Sequence, residues 1–269
     1  MGFTHLHVHT EYSLLDGSNK IKEYVARVKE LGMDSAAITD HGVMYGCIDF
    51  YRAAKEAGIN PILGCEVYVA PGSRLDKEMQ HGEDRYYHLV LLAENNTGYA
   101  NLMKIVSKGF TEGFYYKPRV DLAVLKEYHE GIIALSACLA GEVARYLQRG
   151  MYEDAKAAAL RYQDIFGKGN FFLELQDHGI PAQRLVNQEL LRMHEETGID
   201  LVATNDVHYT RAEDADPHDI LLCLQTNKKL ADEDRMRYEG GQYYVKSPEE
   251  MAELFPYALE ALETVSYTH

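Results

Sequence analysis

Apolar, β-rich runs alternate along the chain with stretches of helical periodicity. The runs occupy residues 3–8, 35–39, 62–69, 88–93, 131–135, 171–175 and 201–205, and their length and content predict strands. Between the first two, Ile21, Tyr24, Val25, Val28 and Leu31 repeat at helical spacing, with Ser18 placed to cap the helix and Gly32 to end it. The same periodicity predicts helices at 45–57, closing at Gly58, and near 97–108, 139–149, 151–166 and 181–197. Strands separated by helices imply parallel pairing through crossovers. Seven such units predict an α/β fold with a closed or nearly closed barrel, TIM-barrel-like, against the competing arrangement of a doubly wound open sheet. After residue 210 the pattern changes. Segments 216–230, 247–254 and 256–265 read as helices, with a short strand at 242–246. The chain is therefore divided into a barrel over 1–210 and a helical part over 211–269. The polar segment 71–87 reads as a loop. The last predicted helix runs to the end of the chain without a stop signal, so a longer polypeptide is expected.

The side chains at the ends of the runs carry the chemistry. His5, His7 and His9 alternate through the first run, and alternate residues of a strand share a face. A lone strand histidine is usually an ordinary core or surface residue; three on one face are hard to explain by packing. Later runs add His41, Glu66, Cys138, Asp206 and His208 at or just beyond their C-terminal ends, where parallel barrels build their sites. Asp16 lies in the first loop, and His88 is the exception in placement because it begins its run. Imidazole and thiolate favour zinc, while carboxylates can bridge two ions. The set exceeds what one tetrahedral ion can use. Two to three divalent ions are expected, zinc first, with manganese or iron(II) also compatible. A cluster with open positions suits phosphate ester hydrolysis, because it acidifies water and holds phosphate oxygens. The chain carries no nucleophile-elbow pattern and no Walker loop.

Composition narrows the setting. Hydrophobic residues make up 46% of the chain, enough for a large core. The formal charge of −15 argues against gripping a long nucleic acid unaided, since phosphate contacts need Lys and Arg. No apolar run is long enough to span a membrane. The first run begins by residue 3, so no signal peptide is expected, and Leu6 stands where a myristoylation signal needs Ser or Thr. Cys47, Cys65, Cys138 and Cys223 form no CxxC pair, which leads us to expect reduced thiols in the cytoplasm.

His7-Val8-His9, Thr39-Asp40-His41-Gly42, Gly64-Cys65-Glu66 and Asp206-Val207-His208 resemble the motifs of the PHP (polymerase and histidinol phosphatase) family. Residues 5–17, 113–119 and 174–179 are similar to the N-terminal PHP domains of bacterial DNA polymerase III α subunits. The resemblance covers essentially the whole chain. It implies a distorted seven-stranded (β/α)7 barrel holding up to three metal ions. His7, His9, Glu66 and Asp206 would form the catalytic set around one ion. Glu66 would bridge to a second ion completed by His88 and Cys138, and Asp16, His41 and His208 would hold a third. The implied activity is a phosphoesterase, acting as a 3′–5′ exonuclease that proofreads DNA. The implied partners are the DNA 3′ end, the remaining polymerase core of the same chain and a proofreading subunit. Three other readings stay open: a metal-stabilised scaffold without catalysis, a free-standing phosphatase of histidinol-phosphatase type, and a metal-dependent amidohydrolase. The segments at 113–119 and 174–179 argue against the phosphatase, and Asp206-Val207-His208 on a seventh strand argues against the amidohydrolase.

The remaining candidates each have two readings. His5 would support the ligands from deeper in the barrel or be a ligand itself. Asp40 either orients His41 or closes a turn. His178 lines the pocket or is solvated. Lys117 and Arg119 contact a phosphate backbone or belong to a surface turn before Pro118. His81, His129, His194, His218 and His269 lack supporting partners in sequence and are read as surface residues.

Overall fold

The computed structural model describes residues 2–78 and 84–267, with side chains to 263. Eight strands form the sheet: β1 (Ser35–Ile38), β2 (Asn60–Val69), β3 (Tyr87–Ala93), β4 (Phe114–Tyr115), β5 (Lys117–Val120), β6 (Ile132–Leu135), β7 (Phe171–Leu175) and β8 (Leu201–Ala203). β2 is long enough to pair with β1 along its first half and with β5 at its last residues, both in parallel, while β3 takes its other edge. From β3 the sheet continues through β6, β7 and β8.

The seam between β8 and β1 is closed by the first apolar run. This run is not a regular strand, contrary to expectation. It bends at His7 and makes only isolated bridges, Val8 to Val207 among them. His9 N–H donates to Val207 O (2.8 Å), Val207 N–H to His7 O (3.0 Å) and Thr39 N–H to Val8 O (2.9 Å). With this segment as a stave, β1, β2, β3, β6, β7 and β8 close into a distorted seven-stave barrel, not an open doubly wound sheet. Its interior is an apolar plug to which every stave contributes, including Leu6, Ala37, Ile62, Val90, Leu135, Phe172 and Val202. A larger core lies between the staves and the surrounding helices.

Helices form where the periodicity places them, at Ile21–Glu30, Cys47–Ala57, Asn96–Thr111, Glu142–Gln148, Tyr152–Phe166 and Pro181–Thr197. Ser18 does not cap the first; Lys20 holds that position, and the Ser18 hydroxyl donates to His208 O. Two features are absent from the sequence reading. β4 and β5 form a hairpin on the edge of β2, and a short helix, Leu122–Glu127, follows it, capped by Asp121. β3 also departs from the expected parallel order, being antiparallel to both β2 and β6. β2 and β3 are joined without a crossover helix among the described residues, and antiparallel neighbours need none. β3 therefore starts at the end of the barrel where its neighbours finish, which brings His88 opposite Tyr68 near the end of β2.

Beyond residue 210 the chain folds back on the barrel. Helix Ala215–Thr226 stops at the left-handed Asn227, earlier than expected. Segment 242–246 is not a strand and makes a single bridge, from Tyr244 to Tyr209. The Asn205 amide donates to Gln242 O and Tyr244 O (both 2.8 Å). His178, far from solvated at 3% exposure, stacks on Tyr243 (3.7 Å between ring centroids). Its Nδ1 accepts from Gln183 and its Nε2–H donates to Asn205 O, which fixes a neutral tautomer.

Two outcomes follow. The Thr39 hydroxyl accepts from Val8 N–H (2.8 Å) and donates to Val8 O (3.1 Å). Thr39→Val leaves that buried N–H unpaired, at a cost of about 1–3 kcal/mol. Thermal unfolding should drop by roughly 2–10 °C; an unchanged midpoint would remove the seam from the fold's supports. The second outcome concerns acid. Burial pushes His178 down to about 4 from 6.5, so the unfolded chain takes up its proton first. The stability His178 contributes is complete above pH 6.5 and lost as pH falls toward 4. Urea midpoints of His178→Gln across that range should show a pH slope shallower by up to about one proton; a slope equal to wild type would refute the assignment.

Candidate metal centre

The ends of the staves deliver a dense set of donors to one mouth of the barrel. His7 and His9 come from the closing segment, His41 follows β1, Glu66 lies late in β2, His88 begins β3, Cys138 follows β6, and Asp206 and His208 follow β8. Several of these turns are strained to aim a side chain. Asp206 itself (φ 42°), Leu15 before Asp16 (φ 62°) and Ala137 before Cys138 (φ 65°) adopt left-handed backbone without being glycine.

Glu66 is the hub and is fully buried. Its Oε1 lies 3.0 Å from both His7 Nε2 and His88 Nδ1, and its Oε2 lies 2.6 Å from His41 Nδ1. Burial alone would raise its pKa, but His88, His41 and His7 hold it well below the usual carboxylate range. His7 Nδ1 donates to Glu174 Oε1 (2.7 Å), which turns Nε2 toward Glu66 and toward Asp206 Oδ1 (3.2 Å). Two carboxylate oxygens facing one imidazole nitrogen require a proton or a cation between them.

Asp206 Oδ1 is also 3.1 Å from His9 Nε2. That spacing suits a hydrogen bond, yet both atoms are buried and neither has one. Two donors about 2.1 Å from one zinc ion lie roughly 3.0–3.4 Å apart, so the spacing fits co-ligation. Burial together with His41 and His208 pushes His9 down to about 3, and because the Ser13 hydroxyl donates to Asp40 and so accepts from Nδ1–H, the lone pair lies on Nε2. Against burial, His7, His208 and His9 hold Asp206 below its ordinary value.

The donor atoms of His7, His9 and Glu66 lie within 4.8 Å of one another, as do those of Glu66, His88 and Cys138, and those of His9, His41 and His208. The Cys138 thiol sits 3.7 Å from His88 Nδ1, its pKa raised by burial and by Asp206 and Glu66. Asp16 Oδ2 lies 3.0 Å from His41 Nε2, and its Oδ1 lies 3.8 Å from His208 Nε2. Burial works against protonating His41, but Glu66 and Asp16 on either side push it up to about 10. His9 stacks on His41 (3.9 Å between centroids) and packs on His208 (4.4 Å), so the three groups share walls.

Three participants escaped the sequence reading. Glu174 is buried in β7, where it accepts from His7 and Gln176 and also from Thr204, fixing the His7 ring. A glutamate in the otherwise apolar run Phe171–Leu175 was the available signal. His218 is not a surface residue. It is 1% exposed, and its Nε2 has no hydrogen bond and lies 3.9 Å from Asp16 Oδ1. Tyr238 places its hydroxyl 3.1 Å from His208 Nε2. Nothing local in sequence marked these two, because the folding back of the C-terminal part brings them in.

Other candidates fall elsewhere. His5 makes no hydrogen bond to the cluster; its Nε2 meets Lys246 O (2.9 Å), because the bend at His7 breaks the strand alternation. Asp40 accepts from Thr10 N–H (2.6 Å) and Ser13 Oγ (2.7 Å), and Ser13 in turn contacts His9 Nδ1 and His41 N–H. Asp40 thus ties down the turn and, through Ser13, both histidines. Lys117 lies at the mouth. Arg119 is 2% exposed and donates to the Gly113, Arg74 and Asp76 carbonyls, so it holds a loop and faces no ligand. His178 lies outside the cluster, on the cavity beside Arg184 and Gln242. His129 is at the surface, whereas half-buried His194 bonds to Ile199 O. His81 and His269 lie outside the described residues.

Comparison with known proteins places this arrangement. The PHP domain family model matches residues 5–178. DNA polymerase III subunit alpha of Treponema pallidum is 46% identical over 266 residues, covering 98% of this chain and 23% of that protein. The protein of the same name from Deinococcus radiodurans is 46% identical over 261 residues, covering 94% of this chain and 20% of its own length. The chain thus spans less than a quarter of these relatives. An amidohydrolase from Chromobacterium violaceum, solved with bound sulfate, superposes with a TM-score of 0.50 at 15% identity, over 77% of this chain and 88% of that one. That likeness speaks to the fold alone. With the family match spanning most of the barrel, the chain belongs to the PHP domain family.

Proposed function

We propose that this chain is the PHP domain of a bacterial replicative DNA polymerase α subunit, and that it acts there as a metal-dependent phosphoesterase removing nucleotides from a DNA 3′ end. The observation that carries the reading is the set of buried donor atoms without hydrogen bonds, among them His9 Nε2, Asp16 Oδ1 and Asp206 Oδ1, grouped under a mouth open to solvent. The names of the relatives support the polymerase setting.

In this reading His7, His9, Glu66 and Asp206 hold one ion. Glu66 is shared with a second, held also by His88 and Cys138, and Asp16, His41 and His208 hold a third. The thiol of Cys138 favours zinc, with manganese or iron(II) as compatible alternatives. Bound divalent ions supply Lewis-acid stabilisation of phosphate oxygens and acidify water. The chain's own residues do the rest. Glu174, itself held by the Gln176 amide, fixes the His7 ring, Ser13 and Asp40 fix His9 and His41, and the Tyr238 hydroxyl stands beside His208 at the mouth. The barrel over 1–210 provides the site, and the helical part from 211 leads to the polymerase core, which carries nucleotidyl transfer and holds the DNA. A scaffold reading has one observation in its favour: donors run from residue 7 to residue 208, so ions would also pin the seam.

Elemental analysis of protein purified without chelator and supplied with zinc or manganese should find two to three ions per chain. A ceiling of one ion would reject the shared cluster. Asp206→Asn changes charge without volume, so the barrel should keep its circular dichroism. Cleavage of a 3′-labelled strand should fall by about 100-fold or more, the scale of removing one preorganised electrostatic group. Turnover near wild type at saturating metal would take Asp206 out of the site. Because this acidic chain is a fraction of its relatives, the assay belongs also in the longer polymerase with its polymerase carboxylates removed.

A further inference from the structure

The cluster lies at the floor of a cavity of about 600 Å³ whose wall and rim are unusually aromatic. Asp16, His41 and His88 face into it. Above them stand Tyr68 and Tyr86, in a continuous ring ladder: Tyr86 stacks on His88 (6.0 Å, 11°), and Tyr68 packs edge-on to both (4.9 and 5.3 Å). The rim is formed by Tyr45, Phe114 and Tyr116, which are 62%, 50% and 65% exposed. Large apolar rings left this open around one cavity are not accounted for by the core.

Two further observations bear on what they meet. Tyr116 sits alone at the tight turn between β4 and β5 in left-handed backbone (φ 60°), a conformation disfavoured for a bulky residue, and the turn holds its ring out at the rim. Two cations lie on the rings of this rim: the Arg85 guanidinium 4.8 Å above Tyr116, and Lys117 Nζ 5.3 Å from the Tyr68 centroid. Neither has a carboxylate within ion-pair distance among the described residues. In a chain of formal charge −15, two cations lying on the rings of one mouth favour an anion there. Flat rings beside cations match the chemistry of unpaired nucleotides, whose bases stack on aromatics while the backbone follows positive charge.

We infer that the β4–β5 hairpin and its surroundings are a subsite for an unpaired nucleic acid strand, with bases stacked on Tyr116 and Phe114 and phosphates held by Lys117 and Arg85. The inference rests on the phosphoesterase reading for its direction, because it delivers the strand's terminal phosphodiester to the cluster. A paired strand keeps its bases stacked inside the duplex and cannot use the rings. With two cations contributing, affinity should depend weakly on salt, with a log–log slope of about −1.4.

The test is fluorescence anisotropy in EDTA, so that binding is read without cleavage, using an end-labelled strand of about twelve nucleotides. The probes are the intact strand, the same strand abasic at its three 3′-terminal positions, and a blunt duplex. Tyr116→Asn removes the ring while keeping a residue tolerant of left-handed backbone, Tyr116→Phe keeps the ring, and Phe114→Ala changes an exposed position. Tyr116→Asn and Phe114→Ala should each weaken intact-strand binding about fivefold or more, the lower range for one lost stack, and Tyr116→Phe should stay within about twofold of wild type. The abasic strand and the duplex, which lose both stacks, should bind wild type at least as weakly as the intact strand binds Tyr116→Asn, and that substitution should cost the abasic strand nothing further. Hydrolysis of a simple aryl phosphate ester by wild type, read separately with metal supplied, tests the phosphoesterase reading alone. If wild type fails to hydrolyse the ester but shows this binding pattern, the phosphoesterase reading falls and the subsite stands. Equal binding of intact, abasic and duplex probes, loss of no affinity in Tyr116→Asn and Phe114→Ala, or no binding at strand concentrations up to about 1 mM, would overturn the subsite.

Discussion

Glu66 has both carboxylate oxygens engaged and none of its surface in water, and the burial of that charge dictates much of what surrounds it. An isolated carboxylate in such a place would neutralise. It stays ionised because imidazoles reach it from three other staves: His7 from the closing segment, His41 from beyond β1 and His88 from β3. Two of these are then oriented in turn, His7 by Glu174, and His41 by Asp16 and by the turn that Asp40 anchors. The polar mouth of the barrel is thus one connected network lying over an apolar plug, and neither layer can move a stave without disturbing the other.

Directionality explains how so many donors reach one end. Parallel strands deliver side chains from their last residues and the loops beyond. β3 runs the other way and delivers from its first. Local backbone strain makes the final adjustment. Of the five non-glycine residues in left-handed conformation among the described residues, Asp206 is a donor, Leu15 and Ala137 immediately precede donors, and Tyr116 holds the rim. Strain gathered at one mouth, and nearly absent elsewhere, marks positions held by the surrounding structure against local preference.

The sequence made most of this legible because the signals were local. Run-end histidines and acids lie at their stave ends through simple periodicity, and the helices fall where apolar spacing puts them. What escaped was set by distant parts of the chain. The first run reads as a strand by alternation, yet it bends at His7 because the Thr39 hydroxyl replaces a ladder partner, and His5 is carried off to Lys246. His88 looked misplaced only because strand polarity depends on the connection before it. Arg119 resembled a phosphate ligand by type, but backbone carbonyls of the neighbouring loop absorb its guanidinium. His218 and Tyr238 are recruited by tertiary docking that no window of sequence can express.

The closing of the seam also sets an order of events in time. His7 finds its partner Glu174 across 167 positions, and His5 finds Lys246 across 241. Contacts so distant in sequence form late, after loop closure has been met by the more local helices and by β2 with β3. During synthesis the first histidines emerge long before the residues that orient them. An ion meeting the nascent chain would find soft, mobile donors and no fixed geometry. The donors share one geometry only in the closed barrel, so any ion they hold would bind the completed barrel and not the emerging ligands.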